Sequence, residues 1–260
     1  MNATLIALAV LPVVVLLLYI YIKDRYEREP LSMLLKAFFF GCLSVIPAII
    51  LEGLLSIFTP PFPISAGIYT GFVVAGASEE LVKLLMLYWA VWRNRNFNEY
   101  FDGIVYATFV SLGFACVENI AYVFQAGDYF DALQTGTVRA LLSVPGHFLF
   151  GVVMGYYFAL ARFQPQQKVA NLLKAFFVPM LLHGTYDSLL MVPEELGVNE
   201  GLFSGIFMVV FIWFDVKLWK IGTRKLRELQ AYSQQQNDEG ASQESSFQRN
   251  SSLDHIDWDV

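Results

Sequence analysis

The chain has 260 residues, of which 56% are hydrophobic and only 15% charged, and its mean hydropathy is +0.51. Its apolar residues gather in runs of about twenty, the length a helix needs to cross roughly 30 Å of hydrocarbon. This excludes ordinary soluble domains and predicts an all-α, polytopic bundle of transmembrane helices. A net charge of −6 decides less than where the charges fall.

The first predicted span, Thr4 to Ile22, has no basic residues before it, is longer than a signal-peptide core and is not followed by an A-x-A site. It therefore reads as a membrane helix. After the charged loop 23–30, the second span runs from Leu34 to Phe58 and carries Glu52 towards its far end. Cys42 and Cys116 lie in apolar runs and offer neither a structural zinc spacing nor a disulfide framework. Pro60, Pro61 and Pro63 make a turn that cannot be helical. The third span, Ile64 to Trp92, holds Gly76-Ala77-Ser78-Glu79-Glu80-Leu81-Val82-Lys83.

The fourth span, Gly103 to Phe124, contains Glu118 and Asn119; a polar loop with Asp128 and Asp131 follows. The fifth, Arg139 to Leu160, contains His147 and a Gly151/Gly155 pair whose GxxxG spacing permits close helix approach. The sixth, Leu172 to Met191, carries His183 and Asp187, and the seventh runs from Leu202 to Ile221. Residues 1–229 thus form the membrane domain. Residues 230–260 are dominated by Gln, Ser, Asn, Asp and Glu and are expected to form a disordered tail. His255 and Trp258 are candidates for a docking motif in it, against the blander reading of a solvated tail.

Alternate loops give a topology. One side holds Lys23, Arg25, Arg28, Lys36, Arg93, Arg95, Arg162, Lys168, Lys174, Lys217, Lys220, Arg224, Lys225 and Arg227, whereas loops 59–63, 125–138 and 192–201 hold no basic residue. The positive-inside rule then puts the amino terminus outside and the tail in the cytoplasm of a multi-pass inner (plasma) membrane protein. At 1.5 Å per residue, His147 and His183 lie about 12 Å from the outer surface and Glu118 about 9 Å. Glu79 comes out at about 23 Å counted from Ile64, an upper bound. The polar groups of four spans therefore fall in the middle to outer half of the membrane.

Spacing adds same-helix partners: Glu79 with Lys83, Phe114 with Glu118, and His183 with Asp187 are all i,i+4. Ionisable groups in a membrane helix cost about 2.5–3.5 kcal/mol each on insertion scales, so packing alone does not account for this set. Glu52, Asp102 and Asp215 sit near span ends and read as snorkelling or paired, and Arg139 reads as an interfacial anchor.

Glu79-Glu80-Leu81-Val82-Lys83 resembles the EExxK motif of the PrsW intramembrane proteases, and Phe114 to Glu118 resembles their FxxxE motif. His147 to Gly151 and His183 to Asp187 are similar to the two later histidine motifs, in order and on separate spans. The resemblance covers about residues 70 to 190. The wider group with CAAX prenyl endopeptidases uses EExxxR, FxxxH and HxxxN. Lys83, Glu118 and Asp187 depart from that pattern, which favours PrsW. The resemblance implies cleavage of a membrane-anchored anti-sigma factor on the extracytoplasmic side, a site-one type step in stress signalling.

Peptide hydrolysis needs a base for water, oxyanion stabilisation and a donor to the leaving amine. Glu79 or Glu80 is the expected base, supported by Lys83, with Glu80 or Glu118 positioning the water. Adjacent helical residues point about 100° apart, so one glutamate is expected to do the chemistry and the other to support it. His147, and His183 oriented by Asp187, would polarise the carbonyl or bind a metal. The cofactor is then either none or one divalent metal such as zinc held by His147, His183 and Glu118; the lack of H-E-x-x-H favours the metal-free version. The expected partners are the protein substrate and the lipid bilayer, with no nucleic acid. The rival reading is a proton- or cation-coupled transporter with a Glu/His relay, disfavoured because the sequence shows no internal repeat. A third is a sensor or scaffold acting through its tail.

Overall fold

The structure is a computed structural model that describes residues 3–24, 27–198 and 202–253. Helices α1 (Ala3–Lys23) and α2 (Leu31–Ser56) come first. A continuous stretch follows, made of α3 (Pro63–Tyr69), a π-helix (Thr70–Ala77) and α4 (Ser78–Val91). Then come α5 (Tyr100–Gln125) and a second composite stretch of α6 (Tyr129–Val138), a π-helical turn (Arg139–Ser143) and α7 (Val144–Phe163). Helices α8 (Lys168–Glu195) and α9 (Leu202–Leu253) follow. Among the described residues there is no strand.

Five stretches are long and apolar enough to cross a membrane: α1, α2, α5, residues 129–163 and residues 165–195. The other two expected spans are helical but carry three charges each: Glu79, Glu80 and Lys83 in one, Asp215, Lys217 and Lys220 in the other. Exposed apolar rows such as Leu11, Val15 and Leu18 on α1 and Phe39, Leu43 and Ile46 on α2 suit contact with lipid chains.

Helix α5 is the central post, buried on every side from Phe101 to Ala115. Helix α7 lies against it through the GxxxG pair: a Cβ on Gly151 would stand 2.8 Å from Ser111 Cβ, and one on Gly155 would stand 2.6 Å from Ile104 Cα. The space beside His147 is thus filled by a helix. Helix α8 closes on the π-helix in the same way, since a Cβ on Gly76 would meet Gly184 N at 3.1 Å. These two close approaches bring the spans with Glu79, Glu118, His147 and His183 together.

Two expectations are corrected. The loop 125–138 is largely helix α6, because Asp128 caps it by accepting from the Phe130 and Asp131 N–H groups at 2.8 and 2.9 Å. Its Ala132 packs on Leu5, Ala9 and Val123. The segment from residue 230 continues α9 and docks on the bundle at least to Asn237. Ser233 Oγ accepts the otherwise orphaned N–H of Phe101 at 3.0 Å, and the Gln230 and Gln236 side chains donate to the Lys23 and Asn98 carbonyls at 2.9 and 2.8 Å. Composition hides this because the contacts are hydrogen bonds to helix ends, which need no apolar surface. His255 and Trp258 lie outside the described residues. At the same end Asp24, Glu29, Glu99 and Asp102 are buried together, with the Tyr106 hydroxyl donating to Glu29.

Candidate active site

The third span delivers its charges where the π-helix gives way to α4. With i→i+5 bonding, a π-helix packs more residues into each turn than an α-helix, so Glu79 is shallower than 1.5 Å per residue predicts. Lys83 Nζ, fully buried, stands 2.9 Å from Glu79 Oε2 and 2.9 Å from Glu80 Oε1. The two adjacent carboxylates therefore do meet at one point. The lysine sits at i+4 from one and i+3 from the other, and its long stem reaches between them. The Phe114 ring lies 4.1 Å from the same ammonium.

Lys83 Nζ is also 3.2 Å from His147 Nδ1. His147 Nε2 is 2.8 Å from Glu118 Oε2, which also has Arg139 Nη2 at 2.9 Å as a close ionic contact without hydrogen-bond alignment. Arg139 Nε donates to Asn119 Oδ1 at 2.9 Å, and its guanidinium lies 4.1 Å from the Tyr122 ring centroid. On α8, His183 Nδ1 faces Glu80 Oε1 at 2.9 Å, while Nε2 faces Asp187 Oδ2 at 3.2 Å, the pairing that the spacing predicts. Phe150 stacks on the His183 ring at 4.7 Å and fixes its plane. The rings of His147 and His183 stand edge to face, 5.4 Å apart.

Two trios could hold a metal ion: Glu79, Glu80 and His183, and Glu79, Glu118 and His147. Each takes one histidine, and Glu79 belongs to both. The set His147, His183 and Glu118 is not one of them among the described residues, because each ring is turned to a different carboxylate. The donors of the first trio fit a cation well. Glu80 Oε2 is buried without a hydrogen-bond partner, and Asp187 behind His183 is the outer carboxylate that metal-binding histidines usually have.

A cavity of about 400 Å³ adjoins these groups, between α2, the π-helix, α5 and α8. Glu79, Glu118, Glu52, Thr70 and Tyr122 are on its wall; Glu80 is not. The structure thus brings together every residue that the sequence singled out for chemistry or support, and adds others. Arg139 is no interfacial anchor but a partner of Glu118 and Asn119. The available signal was its place as a lone basic residue on the side where loops carry none. Glu52 lines the cavity instead of snorkelling, because α2 turns the face with Val45 and Ala48 inward there, with Ile49 at the cavity's edge. Phe150 and Asn119 gave no signal beyond proximity to the motifs.

The family model described as PrsW family intramembrane metalloprotease matches residues 29–214. Protease PrsW of Clostridioides difficile (strain 630) is 37% identical over 235 residues, covering 90% of this chain and 94% of that protein. Protease PrsW of Geobacillus kaustophilus (strain HTA426) is 38% identical, covering 90% and 95%. Protease PrsW of Bacillus subtilis (strain 168) is 34% identical, covering 89% and 98%. No solved structure matches the chain.

Proposed function

Because the chain belongs to the PrsW family of intramembrane metalloproteases, we propose that it cleaves a membrane-anchored anti-sigma factor, using Glu118 as base and the Glu79–Glu80–His183 trio as metal ligands. The observation that carries this assignment of roles is the sharing of Glu79 by both candidate trios. A carboxylate that serves as ligand in either arrangement is not free to take the water's proton. Of the two other carboxylates on the cavity wall, Glu52 and Glu118, only Glu118 stands in the cluster with Glu79 and His147 and is held there by His147 and Arg139, so it is the one placed to act as base.

A divalent ion such as zinc, held by Glu79, Glu80 and His183, would supply Lewis-acid polarisation of the scissile carbonyl. Asp187 holds the His183 ring by its Nε2, leaving Nδ1 towards Glu80. The Glu118 carboxylate takes a proton from water and passes it to the leaving amine, with Oε2 held by His147 and Arg139 and Oε1 left for the water. Lys83 holds the Glu79 and Glu80 carboxylates converging on one point. The burial of Glu80, Lys83 and the histidines keeps bulk water from the site. Missing H-E-x-x-H counts for little here, since α4, α5 and α8 together supply the ligands and base that one helix supplies in that motif.

Family membership displaces the transporter reading. The one-sided basic loops support an amino terminus outside, a cytoplasmic carboxyl end and cleavage nearer the extracytoplasmic face of the plasma membrane. The test combines metal analysis of purified protein with cleavage of a tagged single-pass anti-sigma factor. Glu80→Gln and His183→Gln should lose both metal and cleavage, whereas Glu118→Gln should keep its metal and lose cleavage. Loss of metal from Glu118→Gln with retention in Glu80→Gln would move the metal to the other trio. A substrate left intact by the wild type would reject it as substrate.

A further inference from the structure

Glu52 takes no part in the chemistry above, although it faces the same cavity as Glu79 and Glu118. Those two carboxylates each have a cation 2.9 Å away, Lys83 and Arg139. Among the described residues Glu52 has none. Only its backbone carbonyl accepts a hydrogen bond, from Ser56. Neither trio that could hold a metal includes it. An uncompensated carboxylate inside a membrane protein is expensive and marks function by default.

The walls around it are specific. Val45, Ala48, Ile49 and Glu52 fall on one stripe of α2 facing the cavity, and Val74 of the π-helix joins them. Glu79, Glu118, Thr70, Tyr122 and Gln125 line the rest of the cavity, but the wall next to Glu52 is apolar, and a carboxylate without a cation beside such a wall suits a side chain that has an aliphatic stem and a cationic head. The wider site also lacks positive charge: Glu52, Glu79, Glu80, Glu118 and Asp187 stand against Lys83 and Arg139 as its permanent cations. At about 400 Å³ the cavity falls within the range of ligand pockets, roughly 300–1,000 Å³.

We propose that Glu52 is a specificity-determining residue that receives a lysine or arginine side chain of the substrate beside the scissile bond. Glu79 and Glu118 at the same cavity then place the bond where cleavage occurs. This rests on the proteolytic reading above, and it narrows the substrate to membrane-anchored proteins with a basic residue next to the cut.

The probe is a library of single-pass membrane reporters with randomised residues at the outer end of the span, cut by wild type, Glu52→Gln and Glu52→Lys. Cut sites are then sequenced. The readout is the composition of the cut sites, which loss of folded protein does not alter. Wild type should enrich lysine or arginine at one position about fivefold or more, Glu52→Gln should lose that enrichment, and Glu52→Lys should turn it towards aspartate and glutamate. If Glu52→Lys fails to accumulate, the isosteric Glu52→Gln carries the comparison alone. No basic enrichment with wild type, or the same enrichment with Glu52→Gln, overturns the inference and leaves the protease reading standing. A wild type that cuts no reporter overturns both.

Discussion

Lys83 Nζ lies 3.2 Å from His147 Nδ1. An ammonium only donates, so Nδ1 must accept and the ring proton sits on Nε2, which then donates to Glu118 at 2.8 Å. One lysine thus joins the two halves of the site: it holds Glu79 and Glu80 on its own helix and sets the tautomer of a histidine on another. Nitrogen-15 NMR of histidine-labelled protein should report His147 as the Nε2–H tautomer. In Lys83→Met that preference should weaken, and an Nδ1–H ring in the wild type would contradict the relationship.

Lys83→Met should also cost stability. It strips the cation from two buried carboxylates, and removing one partner of a buried pair costs about 3–5 kcal/mol. Thermal unfolding in detergent should show a fall of several degrees or failure to accumulate. Lys83→Met combined with Glu79→Gln should recover part of it. An additive double variant would mean that the pair is not coupled.

Arg139 acts on the reaction through Glu118. Arg139→Gln should lower cleavage about ten- to a hundredfold with metal content unchanged, and Arg139→Lys should recover part of the loss. Loss of metal together with activity would show that the residue supports the fold of the site and not the carboxylate alone.

Gly155 sets how closely α7 approaches α5. Gly155→Leu should destabilise the protein by about 1–3 kcal/mol through overpacking, since even a Cβ there would meet Ile104 Cα at 2.6 Å. Unfolding should shift by several degrees and cleavage should fall because His147 rides on the same helix. An unshifted transition would mean that α5 and α7 can separate at no cost.

The acidic cluster where α9 docks predicts a pH dependence. Burial pushes Asp24 up to about 6 and Glu29 up to about 7. Glu27 adds to this for both, Glu99 for Asp24 and Asp24 for Glu29, while the Glu29 N–H and Arg28 oppose it for Asp24 and the Tyr106 hydroxyl and Asp102 oppose it for Glu29. Acids with raised values hold protons more tightly in the folded protein. Their contribution to stability is full below the unfolded value near 4 and fades as pH rises through about 7. The unfolding temperature should therefore fall by a few degrees between pH 5 and pH 7.5. Glu29→Gln, which needs no proton, should flatten that slope, and an unchanged slope would locate the titration elsewhere.

The sequence by itself determined the helical class and the placing of costly groups. Apolar runs of fixed length leave few options for a chain in lipid, and periodicity at i,i+4 by itself pairs Glu79 with Lys83 and His183 with Asp187. These are local regularities, legible because neighbours on one helix are neighbours in space. Only the tertiary structure decided which helices meet and which carboxylate each histidine faces. It put Arg139 on Glu118, gave Glu79 to both trios, turned Glu52 into the cavity and docked Ser233 on Phe101. Each of these depends on the rotation of one helix against another. That rotation is set by close approach at glycines such as Gly76, Gly151 and Gly155 and by the wider turns of the π-helices, neither of which hydropathy records.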